Sequence, residues 1–199
     1  IVYHIAHGLG KKGHEIDLYA TGDSKKNKTY NVIPIIEKSL RSIPMYANNV
    51  RLRESAKWAG TARIIKQIQN KKYDIIHNHA SWRVLTFADL VSPQMVTTHH
   101  SPLSIDYQAD ILKRFTRYPH ISISHNQQKD LPDLRYIANI YNGTDTEAFV
   151  YSENSGDPSS YVTFLARMSP EKGAIDAVIA TQNAHKSLHI AAKVDQVDK

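Results

Sequence analysis

Short apolar runs of strand length alternate with helical stretches along almost the whole chain, and this alternation leaves few folds open. Candidate strands are residues 16–20, 32–36, 74–77, 95–98, 120–124, 137–141, 161–165 and 187–191. Helical spacing of apolar residues covers 1–12, with Gly13 as a C′ residue, and 54–70, where Trp58, Ala62, Ile65 and Ile68 predict one buried face. Further helices are predicted over 83–90 and 106–117, from Ser124, and up to about Asn183. Strands that alternate with helices predict an α/β fold with parallel sheets. The polar stretch 151–160, rich in Gly, Pro and Ser, reads as a linker. It divides a first domain at 1–150 from the start of a second at 161–199.

Composition removes several function classes. The 199 residues contain no cysteine, which rules out disulfides and thiolate metal sites and fits a reducing, cytoplasmic compartment. No run approaches the roughly 18 to 20 apolar residues of a membrane-spanning helix. The net charge of +6 is spread without a long basic run. Such an excess suits solubility, an anionic substrate or a peripheral membrane contact. No aromatic RNA-binding motif, zinc finger or recognition helix accompanies it, so nucleic acid is not expected as a partner. Two Asn-x-Thr sequons, at Asn27 and Asn142, carry little weight.

Chemistry-bearing residues gather where strands end. In parallel α/β sheets, ligands bind at the carboxyl edge. His77 and His79 end one strand, and residues two apart on a strand point to the same side. Such a pair could chelate a metal ion, but a third ligand is not visible in the sequence. His99 and His100 end the next strand, ahead of the turn at Pro102. The stretch 161–178, YVTFLARMSPEKGAIDAV, runs from strand through a cationic turn into a helix. Arg167 and Lys172 there stand at a helix N-terminus, where backbone N–H groups and the helix dipole favour an anion. The segment reads as a phosphate site or as an ordinary turn with surface cations. His4, His7 and His14 read as surface or packing residues.

Four segments in order carry a resemblance: IAHGLGKKGHEIDLYATGDS at 5–24, DIIHNH at 74–79, IYNGTD at 140–145 and FLARMSPEKG at 164–173. Together they resemble the retaining GT-B glycosyltransferases of family 4, with Ala166 where the family usually has Gly. The resemblance implies two Rossmann-like domains, an acceptor-side one and a donor-binding one. It implies that Arg167 and Lys172 grip the diphosphate of a nucleotide-sugar donor such as a UDP- or GDP-sugar, with Lys193 near the nucleotide. His100 matches the histidine that contacts the sugar, His79 faces the cleft, and His99 is a support. Phe149 is expected to plug a core.

The same comparison predicts a chain cut at both ends. A first strand and its glycine-rich loop would precede Ile1, and a Glu-x7-Glu pair holding the donor would follow Lys199. The expected activity is metal-independent sugar transfer, without a cofactor, to an acceptor the residues do not identify. The fragment alone is expected to be inactive. The alternatives are a non-catalytic α/β nucleotide- or phosphosugar-binding module and a GT-B nucleotide-sugar epimerase.

Overall fold

A computed structural model describes residues 1–149, 151, 153 and 161–193. It divides into two compact units, Ile1–Thr144 and Asp145–Lys199. Most of the predicted 151–160 linker lies outside the described residues.

In the first unit the order is α1 (Val2–Lys11), β1 (Asp17–Thr21), β2 (Asn31–Ile36), α2 (Pro44–Ala47), α3 (Val50–Gln69) and β3 (Ile75–Asn78). It continues with α4 (Trp82–Leu85), β4 (Gln94–Thr98), α5 (Asp106–Leu112), β5 (His120–Ser122), α6 (His125–Gln128) and β6 (Tyr136–Asn139). Every pairing between these strands is parallel, as the alternation predicts. The strands do not form one sheet, however. β1 pairs only with β2, while β3, β4, β5 and β6 form a separate four-stranded sheet in that order. A cavity of about 680 Å³ is lined by Leu18 and Tyr19 of β1, Ile76 and His77 of β3, and Ile64 and Ile68 of α3. The single Rossmann-like sheet expected of this domain is therefore interrupted between β1 and β3.

A polar clip links the amino ends of those two strands. Tyr73 donates to the Asp17 carboxylate (2.6 Å), Lys71 Nζ binds the same oxygen (2.7 Å), and the Tyr19 and Tyr73 hydroxyls lie 2.9 Å apart.

Helix α1 ends as its sequence predicts. Gly13 takes φ 90°, and the Gly13 N–H reaches the Gly10 carbonyl (3.1 Å). Helix α3 begins at an Asn49 cap that accepts from the Leu52 N–H (3.0 Å), a few residues earlier than expected. Its buried residues are Gly60, Thr61, Ile64, Ile65 and Ile68. Trp58 and Ala62 are exposed, which corrects the predicted face. The helix crosses β2 at Gly60, where an added Cβ would sit 3.4 Å from Ile36, and that close crossing sets which face is buried.

The core continues from Ile64, Ile65 and Ile68 through Ile76, Leu85, Met95, Leu103 and Leu112. Burial of this apolar surface, at about 25 cal/mol per Å², is the main term holding the sheet to its helices. The predicted helix over 83–90 is broken instead into α4 and a 3-10 turn at Ala88–Leu90.

The second unit is one β–α–β element: β7 (Tyr161–Arg167), α7 (Ala174–Asn183) and β8 (Ser187–Lys193). β7 and β8 pair in parallel from Tyr161↔Ser187 to Arg167↔Lys193. Phe149 is 70% exposed, so the expected core plug is not made.

Candidate functional site

The predicted site residues fall into two groups, one on each unit. In the first unit, His79 follows β3 directly and His100 lies two residues past β4, so neighbouring parallel strands carry both to the same carboxyl edge. His79 Nδ1 and His100 Nε2 are 2.8 Å apart, with ring centroids at 5.1 Å. His77, on the same side of β3 as His79, has its ring centroid 4.1 Å from that of His79 and its Nε2 2.8 Å from Thr98 Oγ1. The three imidazoles thus touch in a row. Among the described residues, no group of three or more His, Asp or Glu side chains is placed to hold a metal ion.

Burial lowers the pKa of all three histidines, and neighbouring imidazoles oppose protonation of His77 and His79 further. His79 is brought down to about 3. The row is neutral at pH 7, so its rings can accept or donate a hydrogen bond but present no fixed charge.

His99 is the support the sequence suggests. Its side chain points into the core, 1% exposed, with Nε2 2.9 Å from His120 Nδ1. His120 Nε2 lies 3.0 Å from the Phe115 carbonyl, which can only accept. His120 therefore donates from Nε2 and accepts at Nδ1, and His99 donates from Nε2. Among the described residues, that leaves His99 Nδ1 as a buried acceptor without a partner. Burial, with His120 beside it, holds His99 at about 3, as a neutral spacer beneath His100.

Two residues that sequence reasoning missed hold the histidine turns. Gln127 donates from Nε2 to the carbonyls of Ser101 (2.7 Å) and His99 (3.3 Å), on both sides of His100. Its Oε1 accepts from the Ile123 N–H (2.9 Å). Asn78, buried between His77 and His79, donates to the Ser81 carbonyl (2.8 Å) and accepts from the Ala80 N–H (2.9 Å). It holds a turn in which Ser81 takes φ 58°, ψ −147°, a costly conformation for a residue with a side chain. Neither residue breaks a periodic pattern, so the sequence carried no signal of their role beyond lying next to strand ends.

In the second unit, Arg167 and Lys193 are register partners at the carboxyl ends of β7 and β8. The Met168 N–H bonds the Lys193 carbonyl at 2.9 Å. Lys172 is exposed in a 3-10 turn, Pro170–Lys172, which leads through Gly173 (φ 70°) into α7. Arg167 also forms an ion pair with Glu171 and reaches Ser169 Oγ at 3.3 Å. Hydrogen bonds from Ser169 and the backbone, and then from Arg167, hold the Glu171 carboxyl at about 2. The turn therefore carries a carboxylate among its cations.

Parallel α/β sheets with polar side chains collected at their carboxyl edges define a Rossmann-like fold. The family model of Glycosyltransferase Family 4 matches residues 1–148, and the chain belongs to that family. No curated protein matches the chain.

Proposed function

We propose that the chain serves a retaining transfer of a sugar from a nucleotide-sugar donor, of the UDP- or GDP-sugar kind, without a divalent metal. The observation that carries the reading is the neutral His79–His100 pair at the carboxyl edge of β3 and β4, in a chain of this family. A neutral imidazole offers one donor and one acceptor, which suits a sugar hydroxyl. His100 is the residue that touches the sugar, and His99, Gln127 and His79 position it.

The greatest electrostatic demand in such a transfer is the charge that grows on the departing diphosphate. Fixed cations aimed at that charge stabilise the transition state more than the ground state. Arg167 and Lys172 are the groups assigned to it, with Lys193 near the nucleotide. Glu171 must yield Arg167, at least in part, when a diphosphate enters, because both anions seek the same guanidinium.

Calorimetric titration with UDP and with GDP, each with and without EDTA, tests this reading. Micromolar binding to one of them that EDTA does not change supports it and identifies the base. Absence of binding to both overturns the donor assignment and favours a non-catalytic module.

A further inference from the structure

At the margin of the histidine edge, the chain displays apolar side chains among cations. None of the first ten residues of α3 is buried; its buried residues begin at Gly60. Trp58 in that half packs edge-on against Trp82 of α4 (5.6 Å between ring centroids), and Trp82 in turn meets Tyr107 of α5 (6.4 Å). On α2, at the start of α3 and around the start of α5, Met45 and Val50 are 59% and 58% exposed, Tyr107 61%, and Ile105 is also exposed. The patch does not hang loosely. Arg53 Nη1 donates to the carbonyls of Tyr46 (3.1 Å) and Ala47 (2.8 Å), tying α2 to α3, and Arg83 ties α4 to Glu54 of α3.

Charge is concentrated on the same stretch. Residues 39–58 hold Arg41, Arg51, Arg53 and Lys57 against the single carboxylate of Glu54. Four cations less one anion leave +3, half of the +6 of the whole chain in about a tenth of its length. Glu54 is itself engaged by both Lys57 (2.6 Å) and Arg83. The Arg83 guanidinium lies 4.9 Å from the centre of the Trp82 ring.

We propose that α2, the first half of α3 and the adjoining starts of α4 and α5 form a docking surface for an anionic lipid membrane. Trp and Tyr rings are amphipathic and settle at the depth of lipid headgroups. Exposed Met, Val and Ile side chains gain by entering the acyl boundary beneath them. Arginines around the patch are drawn to anionic headgroups, an attraction that adds up per charge and fades within a Debye length. Trp82 follows His79 by a short turn, so a docked membrane lies beside the histidine edge. The inference does not depend on the transfer reading, because its test measures lipid binding and not turnover.

Both tryptophans of the chain belong to the patch, so its own emission reports docking. The protein is mixed with vesicles of phosphatidylcholine alone, and with vesicles of equal parts phosphatidylcholine and phosphatidylglycerol. Sedimentation and tryptophan emission are then read at low and high salt. The expected result is binding to the anionic vesicles, a blue shift of emission, and loss of both in high salt. Arg51→Glu and the pair Met45→Asp with Val50→Asp each weaken binding on the order of tenfold. Leu90→Asp, at an exposed apolar position near the start of β4, leaves it unchanged. If a patch variant loses its fold by circular dichroism, the wild-type blue shift and its salt dependence decide. Equal binding to neutral vesicles, no binding to anionic ones, or unaltered binding by the folded patch variants overturns the proposal; a protein would then be the partner to seek.

Discussion

His79 Nδ1 meets His100 Nε2 at 2.8 Å, while one residue away His99 turns inward to His120 at 2.9 Å. Consecutive histidines thus serve opposite sides of the sheet, one at the rim and one in the core. Replacing each separates chemistry from stability. His100→Ala lowers transfer and leaves the urea midpoint close to wild type. His99→Ala opens a buried space and removes the bond to His120, at a cost of about 2–4 kcal/mol. Any activity it loses should track the loss of folded protein. Greater damage to the turnover of folded protein from His99→Ala than from His100→Ala would show that the roles are reversed.

Acid should unfold this chain early. Burial depresses His77, His79, His99, His100 and His120 below the ordinary 6.5, His79 and His99 to about 3. A group with a lowered folded pKa takes up a proton on unfolding. Its contribution to stability is therefore complete above about pH 6.5 and is lost as pH falls through that value toward the folded pKa. Each of His77, His79, His99 and His120 that is still neutral in the folded state tilts stability by up to about 1.4 kcal/mol per pH unit in that window, and the exposed, solvent-screened His100 adds less. Urea unfolding at pH 7.5 and at pH 5.5 should differ by several kcal/mol. Equal midpoints and slopes would contradict the buried, neutral assignment.

Two glycines of α1 predict opposite signs. A Cβ at Gly10 would overlap the Thr29 backbone carbonyl, whereas a Cβ at Gly8 meets nothing within 4 Å. Gly8→Ala should raise stability by about 0.5–1 kcal/mol through helix propensity. Gly10→Ala should lower it by about 2 kcal/mol or more, because backbone must move. Thermal melts of the two variants check the pair, and the same sign for both would show that α1 does not pack on Thr29 as described.

Arg167→Ala and Lys172→Ala should each cut turnover on the order of a hundredfold, the scale of losing one fixed stabiliser of a developing anion. Both positions are exposed, so the melting temperature should barely change. Steady-state transfer rates of each variant, compared with wild type, provide the check. Rates like wild type in both variants would remove the diphosphate role from this turn.

The α/β class and the parallel sense of the pairings between the described strands were legible in the sequence. These properties follow from local alternation of period and from the need for helical crossovers between parallel strands. The family was legible too, because its marks are short motifs at strand ends. Which face of α3 is buried was not. Trp58 and Ala62 fit the helical spacing as well as the true buried set does, and the choice fell to the close crossing at Gly60 against Ile36.

The histidines show the same division most clearly. The sequence by itself determined that His77, His79, His99 and His100 stand at strand ends, since strand length and alternation decide that locally. Only the tertiary structure decided that His79 and His100 meet, that His99 is buried on His120, and that Gln127 holds the turn between them. Those contacts join residues some twenty to thirty positions apart (21 for both histidine pairs, 26 for Gln127 with Ser101). No periodicity encodes them, because they exist only once neighbouring strands have set the register that brings their ends together.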